Sequence, residues 1–136
     1  ISAKILNKEG KESDYIRSDI SIFKIILRFI GFMDVGLSTK NSKNFWVPSV
    51  FKIFNRLTYD KLRGFDENIF MYYEDYDICL RAKKYVDIYI DDNIKIIHKY
   101  TRTSRKNIKF LYMHIKSISQ VLFRKYTGKY KFKEIN

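Results

Sequence analysis

The chain has 136 residues, 46% hydrophobic and 31% charged, with five glycines, one proline and one cysteine. That composition suits one globular core and excludes a disordered, collagen-like or disulfide-stapled chain. The net charge of +12 is uneven: residues 1–98 hold sixteen basic and fourteen acidic side chains, residues 99–136 eleven basic ones against Glu134 alone.

Ile1 to Leu6 reads as a strand running into the polar turn Asn7-Lys8-Glu9-Gly10. From Asp19 or Ser21 as a cap, Ile22, Ile25, Ile26, Phe29 and Ile30 recur at helical spacing as far as Gly31, which predicts a short, well-buried helix. Ile20 to Met33 is the longest apolar stretch, but Ser21, Lys24 and Arg28 interrupt it. It falls short of the ~20 apolar residues a bilayer span requires. Residues 36–44 are small and polar, a loop. Phe45 to Phe54 is aromatic and β-branched, a strand with Pro48 at an edge or bulge. Thr58 to Leu62 predicts one helical turn ended by Gly64, and Phe65 to Tyr73 a ring-lined loop.

Glu74 to Lys84 predicts the next helix, with Glu74, Asp75 and Asp77 in its first turn and Arg81, Lys83 and Lys84 at its end, the order that complements the helix dipole. Ile78, Cys79 and Ala82 should face inward. Cys79, the single cysteine, reads as a small buried apolar residue, and cysteine usage points to a reducing compartment. Asp87 to Ile90 and Ile94 to Ile97 predict two short strands around the turn Asp91-Asp92-Asn93, with His98 at the end of the second. A loop through Lys106 follows. Last, Ile108, Leu111, Ile115, Ile118 and Leu122 step by three and four, an amphipathic helix whose other face carries Lys109, Lys116, Arg124 and Lys125.

The densest acidic constellation is Asp66, Glu67, Glu74, Asp75 and Asp77. Repulsion among such groups is relieved by water, a cation or the positive end of a helix. Glu74 and Asp77 share a helical face, whereas Asp75 points about 100° away, so one carboxylate can reach a cleft while another anchors the loop.

Gly64-Phe65-Asp66-Glu67-Asn68-Ile69-Phe70-Met71-Tyr72-Tyr73-Glu74-Asp75-Tyr76-Asp77-Ile78-Cys79-Leu80-Arg81-Ala82 resembles the GFDE…FxYxEDxDLCLRA signature of family 2 glycosyltransferases, in particular their rhamnosyltransferase-like group. Ile97-His98 resembles the histidine that follows the family's last core strand. Lys4 to Gly10 and Trp46-Val47 extend the likeness weakly toward the N-terminus. The resemblance implies an α/β fold, the C-terminal half of a GT-A domain over residues 1–106, with a mixed sheet, flanking helices and a basic amphipathic helical tail at 107–136.

The implied activity is inverting transfer of a sugar from a nucleoside-diphosphate sugar to a hydroxyl of a glycan or lipid-linked acceptor in cell-surface polysaccharide synthesis. A sugar hydroxyl is too weakly acidic to attack unaided, so a carboxylate must take its proton. The resemblance assigns that base to Asp75, with Glu74 beside it; Trp46, Tyr73 and Asp77 are substrate-side candidates. His98 is a candidate ligand for the divalent metal, Mg or Mn, that neutralises the leaving diphosphate. The remaining ligands and the nucleotide-binding half would precede Ile1, so the chain is expected to be a fragment, inactive alone, of a cytoplasmic enzyme at the inner face of the cell membrane. Within the chain, the tail's apolar stripe and basic face fit an acidic membrane surface. The competing readings are a basic nucleic-acid-binding module using Lys99 to Lys133 with Tyr100, Phe110 and Tyr112, for which no reader motif stands in the sequence, and a non-catalytic remnant of a glycosyltransferase.

Overall fold

The computed structural model describes residues 1–13, 16–29, 45–99 and 107–128. The expected helix exit at Ile30-Gly31, the loops at 36–44 and 100–106, and residues 129–136 of the tail lie outside them.

The architecture is mixed α/β. β1 (Ser2–Leu6) and β4 (Ile90–Ile97) form a two-stranded parallel sheet, while β2 (Arg17–Ser18) and β3 (Phe45–Trp46) form a short antiparallel ladder. Around them lie α1 (Ile22–Phe29), α2 (Arg56–Leu62), α3 (Glu74–Ala82) and α4 (Ile108–Tyr126). The main core joins Trp46, Val47, Ile69, Tyr76, Cys79 and Val121. It therefore ties β3, α3 and α4 into one body, and Trp46 meets Tyr76 edge to face at 5.5 Å.

Several elements differ from expectation for identifiable reasons. The strand predicted to run to Phe54 stops at Trp46, because Pro48 cannot donate to a ladder and residues 49–50 turn; only Lys52 returns, bridged to Ser2. The two strands predicted around Asp91 to Asn93 are one. Ala3 pairs with Asp91 but Lys4 pairs with Lys95, so Asp92, Asn93 and Ile94 form an irregularity within β4. The turn chemistry is nonetheless there, since the Asn93 backbone N–H donates to Asp91 Oδ1 at 2.9 Å.

α1 starts at the expected cap, with the Lys24 N–H donating to Ser21 Oγ at 3.3 Å, but it is not well buried. Ile22, Phe23 and Ile26 are exposed, because the helix is held to the body from the Lys24 side, where Lys24 Nζ donates to Ser18 Oγ and the Asp19 carbonyl. α2 begins earlier than predicted, capped by Asn55, whose side chain accepts from the Leu57 N–H. α3 ends two residues early, at Ala82.

α4 turns a different face inward from the one its apolar spacing suggests. Of the predicted stripe, only Ile118 is buried, and Ile108, Leu111 and Ile115 are exposed. The face that docks carries His114, Ser117, Ile118, Val121, Arg124 and Lys125, rotated by roughly 100°, one residue's turn. Arg124 and Lys125 are thus not on the solvent face: Arg124 pairs with Asp66, and Lys125 Nζ donates to Asp19 Oδ2 at 2.8 Å, the Ile20 carbonyl at 2.6 Å and Tyr76 Oη at 3.0 Å. Among the described residues, no helix is long and apolar enough to cross a membrane.

Candidate functional site

The acidic cluster resolves into two classes once α3 is in place. Two successive residues set up its start. Tyr72 and Tyr73 both adopt left-handed backbone (φ 66° and 63°), which for bulky residues costs on the order of 1–3 kcal/mol each and persists only when neighbours enforce it. The neighbours come from α4. The His114 ring lies 5.0 Å from both tyrosine rings, Tyr73 Oη stands 3.4 Å from His114 Nε2, and Ser117 Oγ donates to the Met71 carbonyl at 2.6 Å. Thus α4 braces the loop that delivers Glu74 and Asp75.

Both residues are half-buried at the helix start, and Asp75 accepts a hydrogen bond from the Ser49 backbone in the turn after β3. Burial pushes the Asp75 carboxyl above the usual aspartate value; Lys52, Arg17 and hydrogen bonds from Tyr76 and Ser49 oppose that rise. Burial raises Glu74 as well, and the adjacent charge of Asp75 adds to it. Among the described residues, no donor reaches the buried Oε2 of Glu74. Asp75 Oδ1 accepts from the Tyr76 N–H at 2.9 Å. Lys52 closes one side, its Nζ donating to the Asp75 carbonyl at 3.2 Å and Ser49 Oγ at 2.9 Å, with Cys79 Sγ at 3.3 Å. Arg17, over the Trp46 ring at 5.1 Å, adds a second positive charge acting on Asp75. The arrangement is a carboxylate pair, both members raised, flanked by two cations. Perturbed acids of this kind are candidate proton acceptors.

Asp77 belongs to the other class. It is 1% exposed and pairs with Arg81, whose Nε donates to its Oδ2 at 2.8 Å. Arg81 Nη1 donates in turn to the carbonyls of Leu62 and Gly64, at 2.6 and 2.8 Å, fastening the end of α2 to α3. A carboxylate so enclosed has no open approach for a substrate, and its place in the structure is that of an internal anchor. Trp46 is likewise buried, its Nε1 donating to the Ser18 carbonyl at 2.9 Å, a core position rather than a cleft wall. Tyr73 stays close to Glu74 but turns its hydroxyl to His114.

His98 follows β4, and its backbone N–H donates to the Leu6 carbonyl at 2.9 Å. Leu6 ends the strand whose first residue, Ser2, is bridged to Lys52. The backbones of His98 and Lys52 therefore meet β1 roughly 13 Å apart. Among the described residues, no three His, Cys, Asp or Glu side chains come together to hold a metal ion.

Sequence reasoning missed Lys52, Arg17 and Ser49, because each meets α3 only through tertiary contact. His114 on α4 drew no functional reading from the sequence, and its ring packs against and supports the strained tyrosines. No family model matches the chain, and neither the curated proteins nor the solved structures contain a significant match to it.

Proposed function

We propose that this chain is the acceptor-side part of an inverting GT-A glycosyltransferase of the family 2 type, with Asp75 as the general base. The observation that carries the reading is the raised carboxylate pair at the head of α3, standing at the positions where the GFDE…ED signature resemblance puts the base. A carboxylate raised above its ordinary value is a stronger proton acceptor than a free one. In the proposed reaction the acceptor hydroxyl bonds to the anomeric carbon, the bond from that carbon to the diphosphate oxygen breaks, and the hydroxyl proton passes to Asp75. Glu74, adjacent in the pair, orients the loop or the acceptor. The nucleotide, and the metal that accompanies its diphosphate, are bound by residues outside this chain, with His98 as one contributor at most.

The test uses the full reading frame that contains this chain, assayed for nucleoside diphosphate release from a panel of UDP-, GDP- and dTDP-sugars in the presence of membrane lipid extract. Asp75→Asn should lower kcat by a factor of roughly 10² or more with the fold retained. Undiminished transfer by that variant would remove Asp75 as the base.

A further inference from the structure

The side of α4 turned away from the core bears apolar side chains along the length of the helix. Ile108 is 85% and Tyr112 66% exposed, and Leu111, Ile115 and Tyr126 are exposed with them. On an α-helix these five fall within one stripe roughly 100° wide and about 28 Å long. The exposed lysines Lys109 and Lys116 border the stripe, and residues 107–128 contain no acidic side chain. The inner face is already committed, through Val121, Ser117, Arg124 and Lys125, so the outer stripe belongs to a second contact.

We infer that the outer face of α4 docks on an anionic lipid surface, lying in the plane of the interface with the apolar stripe immersed and Lys109 and Lys116 at the headgroups. Charge complementarity selects this occupant. A second copy seated face to face would bring the same lysines together with no carboxylate to meet them, and a nucleic-acid backbone would leave the stripe in water. An interfacial helix needs what this one has: apolar area, tyrosines among the exposed rings, cations at the edge and too little hydropathy to span. The inference goes beyond the proposed transfer reaction and does not depend on it.

The experiment is flotation of the chain with vesicles of phosphatidylcholine alone or of phosphatidylcholine and phosphatidylglycerol at three to one, with far-UV circular dichroism to follow the fold. Binding to the anionic vesicles is expected, at least tenfold weaker to the neutral ones, and weakened tenfold or more by Ile115→Asp. Replacing Lys109 and Lys116 together by Gln should weaken it roughly thirtyfold, and that pair leaves the apolar stripe intact should the aspartate variant unfold. Equal recovery with both vesicle types, or insensitivity to the lysine pair, would overturn the inference. So would a concentration-dependent dimer in sedimentation velocity that Ile115→Asp abolishes while vesicle binding is unchanged.

Discussion

Within one turn of α3 the same chemical group lives under opposite regimes. Glu74 and Asp75 are partly withdrawn from water and raised, the first beside a like charge and the second with cations that offset only part of its burial. Asp77, two residues on, is sealed in with Arg81. The anchoring regime recurs where α4 docks: burial alone would raise Asp19 and Asp66, but hydrogen bonds from Lys125 and Tyr76 lower the first, and Asn68 and Arg124 lower the second. The difference separates carboxylates that hold the fold from those held ready by it. Anchors stabilise; the raised pair is maintained against its own preference, which is how stability is commonly given up at functional sites.

The contrast is broken most severely at Asp77. Asp77→Ala leaves the Arg81 guanidinium buried with its counter-charge gone, and a loss of about 3–5 kcal/mol is expected in urea unfolding. Next comes Lys125, one ammonium serving three acceptors. Lys125→Met should cost about 1–3 kcal/mol at neutral pH. It should also flatten the acid limb of stability. Asp19 is lowered in the native state, so its contribution is present above the ordinary 3.8 and is lost as pH falls through the lower native value.

How far this division could be read in advance depends on the distance between partners. The helix at Glu74 and its acidic first turn are local and were legible from spacing and dipole order, whereas the i, i+4 spacing of Asp77 and Arg81, a local signal for an anchor, was passed over when Asp77 was read as a substrate-side residue. The rotation of α4 was not legible. Arg124 and Lys125 look like surface residues until Asp66 and Asp19, 58 and 106 positions away, are brought beside them. Apolar periodicity therefore chose the wrong face, since it gives no weight to a charged residue with a distant partner. β4 failed similarly: the Asx turn at Asp91 is a true local turn, yet pairing with β1 carries the strand through it.

Smaller effects sharpen the comparison. His114→Ala removes the ring between Tyr72 and Tyr73, and a stability loss of about 0.5–1.5 kcal/mol should appear in thermal unfolding. Glu74→Gln should act in the opposite direction. Because burial and Asp75 raise Glu74 in the native state, its ionisation works against the fold at neutral pH. The variant should be more stable there, with the advantage shrinking as pH falls through the raised native value and gone below the ordinary 4.5, where Glu74 is protonated in both folded and unfolded chains. A stabilised variant with impaired transfer would mark Glu74 as part of the site, whereas a destabilised one would place it with the anchors.

The most direct measurement is a side-chain carboxyl titration by carbon-detected NMR, following Asp75, Glu74, Asp19 and Asp66 in one sample. Midpoints above 3.8 for Asp75 and above 4.5 for Glu74, with Asp19 and Asp66 both below 3.8, are the expected result. A midpoint for Asp75 at or below 3.8 would show a carboxylate stabilised like the anchors and would contradict its assignment as the base.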